Sequence, residues 1–290
     1  MDRDFFDSTL GYDWDMDKTF PIDRSLDPIK IAGYLSMLEE PDRSFVQELI
    51  AKTTYVPYQE FKLALLESFD SFHKHIGQTP FYIMLPSSKI GSEHWLTALL
   101  WSQLREMNIR GIIDDASTLP IMGMKEILII DDAIYSGNNM LGSMDGFTYN
   151  LSLTTRREQC EIGKHFHFHV VVPFVSKGGK SLIEKVCEEL NTQCSMYGRK
   201  YVSDLPDVID LKKYYSAEMK RMRDTLREKF GIEVIVVPPL YFGHKVAGTM
   251  STFSSIYQQG LLPDGTKYGS LFKVDPSRDK IEELAKLHKV

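Results

Sequence analysis

Two adjacent carboxylates, Asp131 and Asp132, interrupt the segment EILIIDDAIYSGNNM at residues 126–140, directly after the apolar run Ile127, Leu128, Ile129 and Ile130. An unbroken apolar run of this kind suits a strand buried on both faces of a parallel sheet. The acids then stand at its C-terminal end, the edge where open α/β sheets bind ligands. Ser136, Gly137, Asn138 and Asn139 follow as a small polar loop, in which backbone N–H groups can converge on an anion and side chains can donate hydrogen bonds. Carboxylates beside an anion nest suit a ligand with both hydroxyls and a phosphate. The acids accept from vicinal hydroxyls or hold a metal, while the nest takes the phosphate. The bland reading of the same residues is a buried strand ending in an ordinary Asp-Asp turn at the surface.

On these residues the segment resembles the signature of the type I phosphoribosyltransferases: a hydrophobic strand, two acids, two further residues, and a small-residue loop around the 5-phosphate of phosphoribosyl pyrophosphate. Asp131, Asp132, Ile134, Ser136 and Gly137 match that pattern. Ala133, Tyr135 and Asn139 depart from it, Tyr135 standing where the family has a small residue and Asn139 where it has a hydroxyl. The resemblance implies Mg²⁺-assisted transfer at ribose C1, with Asp131 and Asp132 on the ribose hydroxyls and the metal. It places Ile134, Tyr135, Ser136, Gly137, Asn138 and Asn139 around the phosphate. The small residues after Tyr135 still permit close approach of backbone to an anion, so the phenol ring is expected to point away from that site.

Upstream, FYIMLPSSKIGSEHW reads as a strand stopped by Pro86, a loop with Ser87, Ser88, Lys89 and Gly91, and a helix capped by Ser92. In the resembled family this strand-to-helix loop binds the pyrophosphate. That assigns Lys89 the charge building on the leaving group, and Ser88 and Gly91 a binding role. An ordinary βα connection with a solvated lysine stands beside this reading as an equal.

The elements that must position these residues are legible in the periodicity. Phe61, Leu65, Phe69 and Phe72 form one apolar stripe of a helix over 58–75. Short apolar runs at 81–85, 110–113, 126–130 and 165–175 alternate with helical patterns at 92–107 and about 180–190. A further helix over 216–230 and a strand over 233–237 follow. Such alternation predicts an α/β fold, a mainly parallel twisted sheet flanked by helices, with the run before Asp131 as a central strand and an N-terminal helical cap. The first forty residues, acidic and turn-rich, read as an irregular arm. The expected organisation is an arm and cap over 1–76, a phosphoribosyltransferase-like core over 77–260, and a tail with a helix over 261–290.

Composition bounds the alternatives. The chain has 290 residues, 43% hydrophobic and 26% charged, an ordinary globular mix that removes support for collagen-like, disordered and coiled-coil classes. A net charge of −6 argues against coating nucleic acid or an anionic membrane through bulk charge. Three cysteines without metal-type spacing, and no basic, apolar leader, suggest a reduced, cytoplasmic protein. No apolar run is long enough to span a membrane.

Other features are weaker. His165, His167 and His169 alternate along one strand face, but span about 13 Å, so at most two can reach one metal ion, and a half-exposed strand is the preferred reading. Lys220, Arg223 and Arg227 form a helical stripe, read as a solvated face. Gly179, Lys180 and Ser181 lack the upstream glycine of a nucleotide-triphosphate loop, and no G-x-S-x-G is present. Near the C-terminus, PPLYFGHKVAGTMSTF at 238–253 carries His244 and Lys245 and is similar to a branch of phosphoribosyltransferase-like proteins found in bacterial antiphage defence and retron loci. Packing of Phe242 and Phe253 in a core is slightly the stronger reading of that tail. Three functions therefore stand: a pentosyltransferase acting on phosphoribosyl pyrophosphate or a nucleotide, a non-catalytic nucleotide-sensing module, and a toxin effector of a defence system. The effector reading would bring a reverse-transcriptase and nucleic-acid partner complex; a homo-oligomer is compatible with all three.

Overall fold

Hydrophobic alternation and helical stripes resolve into α1 (Pro28–Ser36), α2 (Asp42–Ala51), β1 (Thr54–Val56), α3 (Tyr58–Ile76), β2 (Phe81–Met84), α4 (Ser92–Leu104), β3 (Ile109–Ile113) and β4 (Lys125–Ile130). The chain continues through β5 (Ala133–Ile134), α5 (Asn138–Ser152), β6 (Phe166–Val171), β7 (Phe174–Val175), α6 (Lys177–Glu189), β8 (Gln193–Tyr197), β9 (Lys200–Tyr201) and β10 (Leu240–Phe242). These are the elements of a computed structural model that describes residues 25–40, 42–51, 53–85, 92–113, 124–134, 138–152, 161–198, 200–201, 240–242, 256–257 and 259–273. The described residues divide into two compact units, one over 62–201, the other joining 25–61 to 240–273.

The first unit is built on a five-stranded sheet in the order β3-β2-β4-β6-β8, every neighbouring pair parallel. As the sequence predicts, the run ending at Ile130 is the central strand, and Ile127, Leu128, Ile129 and Ile130 are all buried. Helices cover both faces. Phe72 of α3 packs edge-on to Phe81 and Tyr197, with ring centroids 5.4 and 5.6 Å away. On the opposite face Met140, Met144 and Phe147 of α5 and Ile183 and Cys187 of α6 join Ile127, Ile129, Phe166, Phe168 and Val170 in one apolar cluster. Strand alternation divides the residues between the faces: Phe166, Phe168 and Val170 turn toward α5 and α6, while His167 and His169 turn the other way.

Two expectations are corrected here. The run at 165–175 is not one strand: β6 ends at Val171, and β7 belongs to a separate three-stranded parallel sheet, order β5-β7-β9. Pro173 between them has no N–H to give to a ladder, so the pairing breaks there. The first forty residues are not wholly irregular, since α1 begins at Pro28 with the Asp27 carboxylate accepting from Ile29 N and Lys30 N. Proline at the first helical position after a capping acid is a start signal that composition obscured.

In the second unit β1 and β10 pair in parallel, and Leu26 bridges Phe272 antiparallel. Its core holds Tyr34, Val46, Tyr257, Leu271 and Phe272, with the Tyr34 hydroxyl donating to Leu261 O at 2.6 Å. The expected elements at 216–230 and 233–237, with His244 and Lys245, lie outside the described residues. Among the described residues no helix is long and apolar enough to cross a membrane.

Candidate functional site

The topology places a ligand crevice before any side chain is considered. From β2 the chain passes through α4 to β3 on one side, and from β4 through α5 to β6 on the other. Strand order therefore reverses between β2 and β4, and open α/β sheets bind ligands outside the C-terminal strand ends at such a reversal. A small crevice opens there, lined by Met84 at the end of β2, Glu93 of α4, Ile129 and Asp131 of the central strand segment, and Met140 and Ser143 of α5.

Asp131 and Asp132 sit directly after β4, and both are buried, 8% and 4% exposed, where the bland reading of the same residues has a turn at the surface. Buried carboxylates need partners. Asp131 Oδ1 accepts from Ser92 Oγ at 2.7 Å and from Asp132 N at 2.8 Å, and Asp131 N donates to Val171 O at 3.1 Å. Ser92, read from sequence as a cap, is the first residue of α4, and its hydroxyl joins that helix to the acidic pair. Ile134 lies in β5 with its side chain in the apolar cluster and its carbonyl accepting from Ser176 N at 2.8 Å. Asn138 and Asn139 open α5, so their N–H groups belong to the first turn, which has no intrahelical acceptors. Asp131 and, from the first turn of α5, Met140 thus line the crevice, and Ser92 is joined to it through its hydrogen bond to Asp131. Ser88, Lys89, Gly91, Tyr135, Ser136 and Gly137 lie outside the described residues.

A second polar group occupies the α3 face of the sheet, near the beginning of β4. Glu126 and His167 are register partners on β4 and β6, with His169 two residues further on. Glu126 Oε2 lies 3.0 Å from His167 Nδ1 and 2.6 Å from His169 Nε2. Burial pushes His169 down to about 4, against the pull of the Glu126 hydrogen bond, and lowers His167 as well. His167 and His169 are visible in the sequence but their partner Glu126 is not, because only strand register shows which residue faces them.

No protein-family model matches the chain, and no curated protein matches it. Among solved structures it is similar to Helicobacter pylori xanthine-guanine-hypoxanthine phosphoribosyltransferase, at 16% identity over 57% of this chain and 97% of that one, with a TM-score of 0.29.

Proposed function

We propose that the chain binds phosphoribosyl pyrophosphate, or a related nucleotide, in the crevice between the ends of β2 and β4, and transfers its phosphoribosyl group at ribose C1. The observation that carries this reading is the buried pair Asp131 and Asp132 at the C-terminal end of the central strand, beside the point where strand order reverses. The carboxylates accept from the ribose hydroxyls and fix the ring. The segment 134–139, which includes the first N–H groups of α5, receives the 5-phosphate. The donors at the strand end are all oxygens, the two carboxylates and the Ser92 hydroxyl, a set that suits a hard cation. Bound there, Mg²⁺ would offset negative charge on the departing pyrophosphate. As C1 gains positive character, the neighbouring carboxylates stabilise it, and Lys89 is placed by sequence to meet the leaving group. The described part of the crevice wall, from Met84 to Met140, would exclude water from the ring.

A second reading, a nucleotide sensor without turnover, is favoured by one residue, Tyr135, a phenol where the resembled signature has a small side chain. Calorimetry with phosphoribosyl pyrophosphate and Mg²⁺, followed by a pyrophosphate-release assay over a panel of bases and nucleotides, separates the two. Binding with release supports transfer, and binding alone supports the sensor. An absence of binding at millimolar ligand overturns both.

A further inference from the structure

The crevice uses the C-terminal end of β4, but the most concentrated set of metal-type donors lies near the strand's other end. Glu126, His167 and His169 each offer one ligand atom, and those atoms all lie within 4.8 Å of one another. Two imidazole nitrogens already converge on a single carboxylate oxygen, at 3.0 and 2.6 Å. Two donors on a tetrahedral ion at about 2.1 Å are about 3.4 Å apart, so modest side-chain adjustment opens the cluster around one ion.

The rest of each ring is held as a ligating histidine requires. His167 Nε2 lies 2.8 Å from Ser195 Oγ, and His169 Nδ1 lies 2.9 Å from the Tyr197 hydroxyl. Hydroxyl oxygens can accept the remaining ring N–H, which fixes the orientation and leaves the other nitrogen for the metal. Overhead, the last turn of α3 brings His75, with ring centroids 5.7 Å from His169 and 6.4 Å from His167, while Phe72 walls the site 5.4 Å from His169. His75 is exposed and stands outside the group of three whose donor atoms already lie together, so it would have to turn inward to serve as a fourth ligand.

We infer that Glu126, His167 and His169 form a binding site for one divalent transition-metal ion of the zinc class, with His75 or water in the fourth position. Two imidazoles and one carboxylate select such an ion over Mg²⁺, which prefers all-oxygen surroundings. Five residues of extended strand, about 16 Å, separate Glu126 from Asp131, so this site is distinct from the crevice. Bound metal would clamp β4 to β6, and through His75 to the end of α3.

The test uses the full chain stripped of metal by chelation and titrated with Co²⁺, then with Zn²⁺ in competition. The expected result is saturable visible absorption of a low-symmetry Co²⁺ site at a single equivalent, displaced by Zn²⁺. Glu126→Gln and His167→Gln should each weaken binding by about tenfold or more, and Tyr197→Phe by about tenfold through loss of ring orientation. Circular dichroism confirms that each variant is folded. Asp131→Asn should leave the absorption unchanged, because it belongs to the other site. Absence of the band in wild type at millimolar Co²⁺, full-strength binding by a folded Glu126→Gln chain, or loss of the band in a folded Asp131→Asn chain would overturn the assignment.

Discussion

The Ser92 hydroxyl donates to Asp131 Oδ1 across 2.7 Å, joining the first residue of α4 to the acidic pair after β4. The two lie 39 positions apart in the chain, on different βα connections. One hydrogen bond therefore sets the spacing of two walls of the crevice and helps satisfy a buried carboxylate. A neutral donor on a charged acceptor is stronger than a neutral pair, at about 1.5–3 kcal/mol.

From this follows the first expectation. Ser92→Ala should lower stability in urea by about 1–2 kcal/mol, since the Asp131 carboxylate loses one donor and keeps the Asp132 N–H. Ligand affinity in calorimetry should fall with it, because the carboxylate loses one of the contacts that orient it. Unchanged stability and unchanged affinity would show that solvent replaces the hydroxyl without consequence.

Asp131→Asn with Asp132→Asn separates fold from chemistry. An amide oxygen can still accept from Ser92 Oγ and Asp132 N, so the midpoint of denaturation should change little. What disappears is charge. Losing two charge-assisted contacts to ribose hydroxyls or metal should weaken binding of phosphoribosyl pyrophosphate by about 100-fold or more, read by calorimetry. If the folded double variant binds as wild type does, the acids serve the fold alone.

Phe72 tests how far the sheet depends on α3. The ring is fully buried and touches Phe81, Tyr197 and His169 on three different strands. Phe72→Ala should cost about 3–5 kcal/mol, transfer and cavity together, measured by urea denaturation. A cost under about 1 kcal/mol would mean that the face collapses around the gap.

What the sequence made legible divides along physical lines. The central strand and its acids were readable because Ile127 to Ile130 are contiguous and buried on both faces, a condition written directly into a short segment. The α3 stripe was readable because Phe61, Leu65, Phe69 and Phe72 repeat at helical spacing. By contrast β8, QCSMY, is an edge strand of mixed polarity with every residue exposed or half-buried, so no alternation announces it. The contact of Glu126 with His167 and His169 depends on register between β4 and β6, which local pattern does not encode. Ser92 was readable as a helix start but not as a partner of Asp131, because that contact exists only once β2 and β4 lie side by side.

The last expectation concerns His94, two residues beyond Ser92 on α4. Burial holds its imidazole below the ordinary 6.5, because the charged form would lose hydration in the half-buried position. With a folded-state pKa below the unfolded one, the unfolded chain takes up a proton first as pH falls through about 6.5, and the folded chain does not. Unfolding is therefore favoured by acid over that window, and the loss of stability from this group levels off only below its folded value. At pH above about 7.5 the ring is neutral in both states and contributes no slope. His167 and His169 are also depressed, so the single-group effect is read as a difference. Stability of wild type minus that of His94→Gln, measured in urea from about pH 8 to pH 5, should stay level above about pH 7 and then decline steadily toward acid. A difference that stays level throughout would show that water reaches the ring in the folded protein.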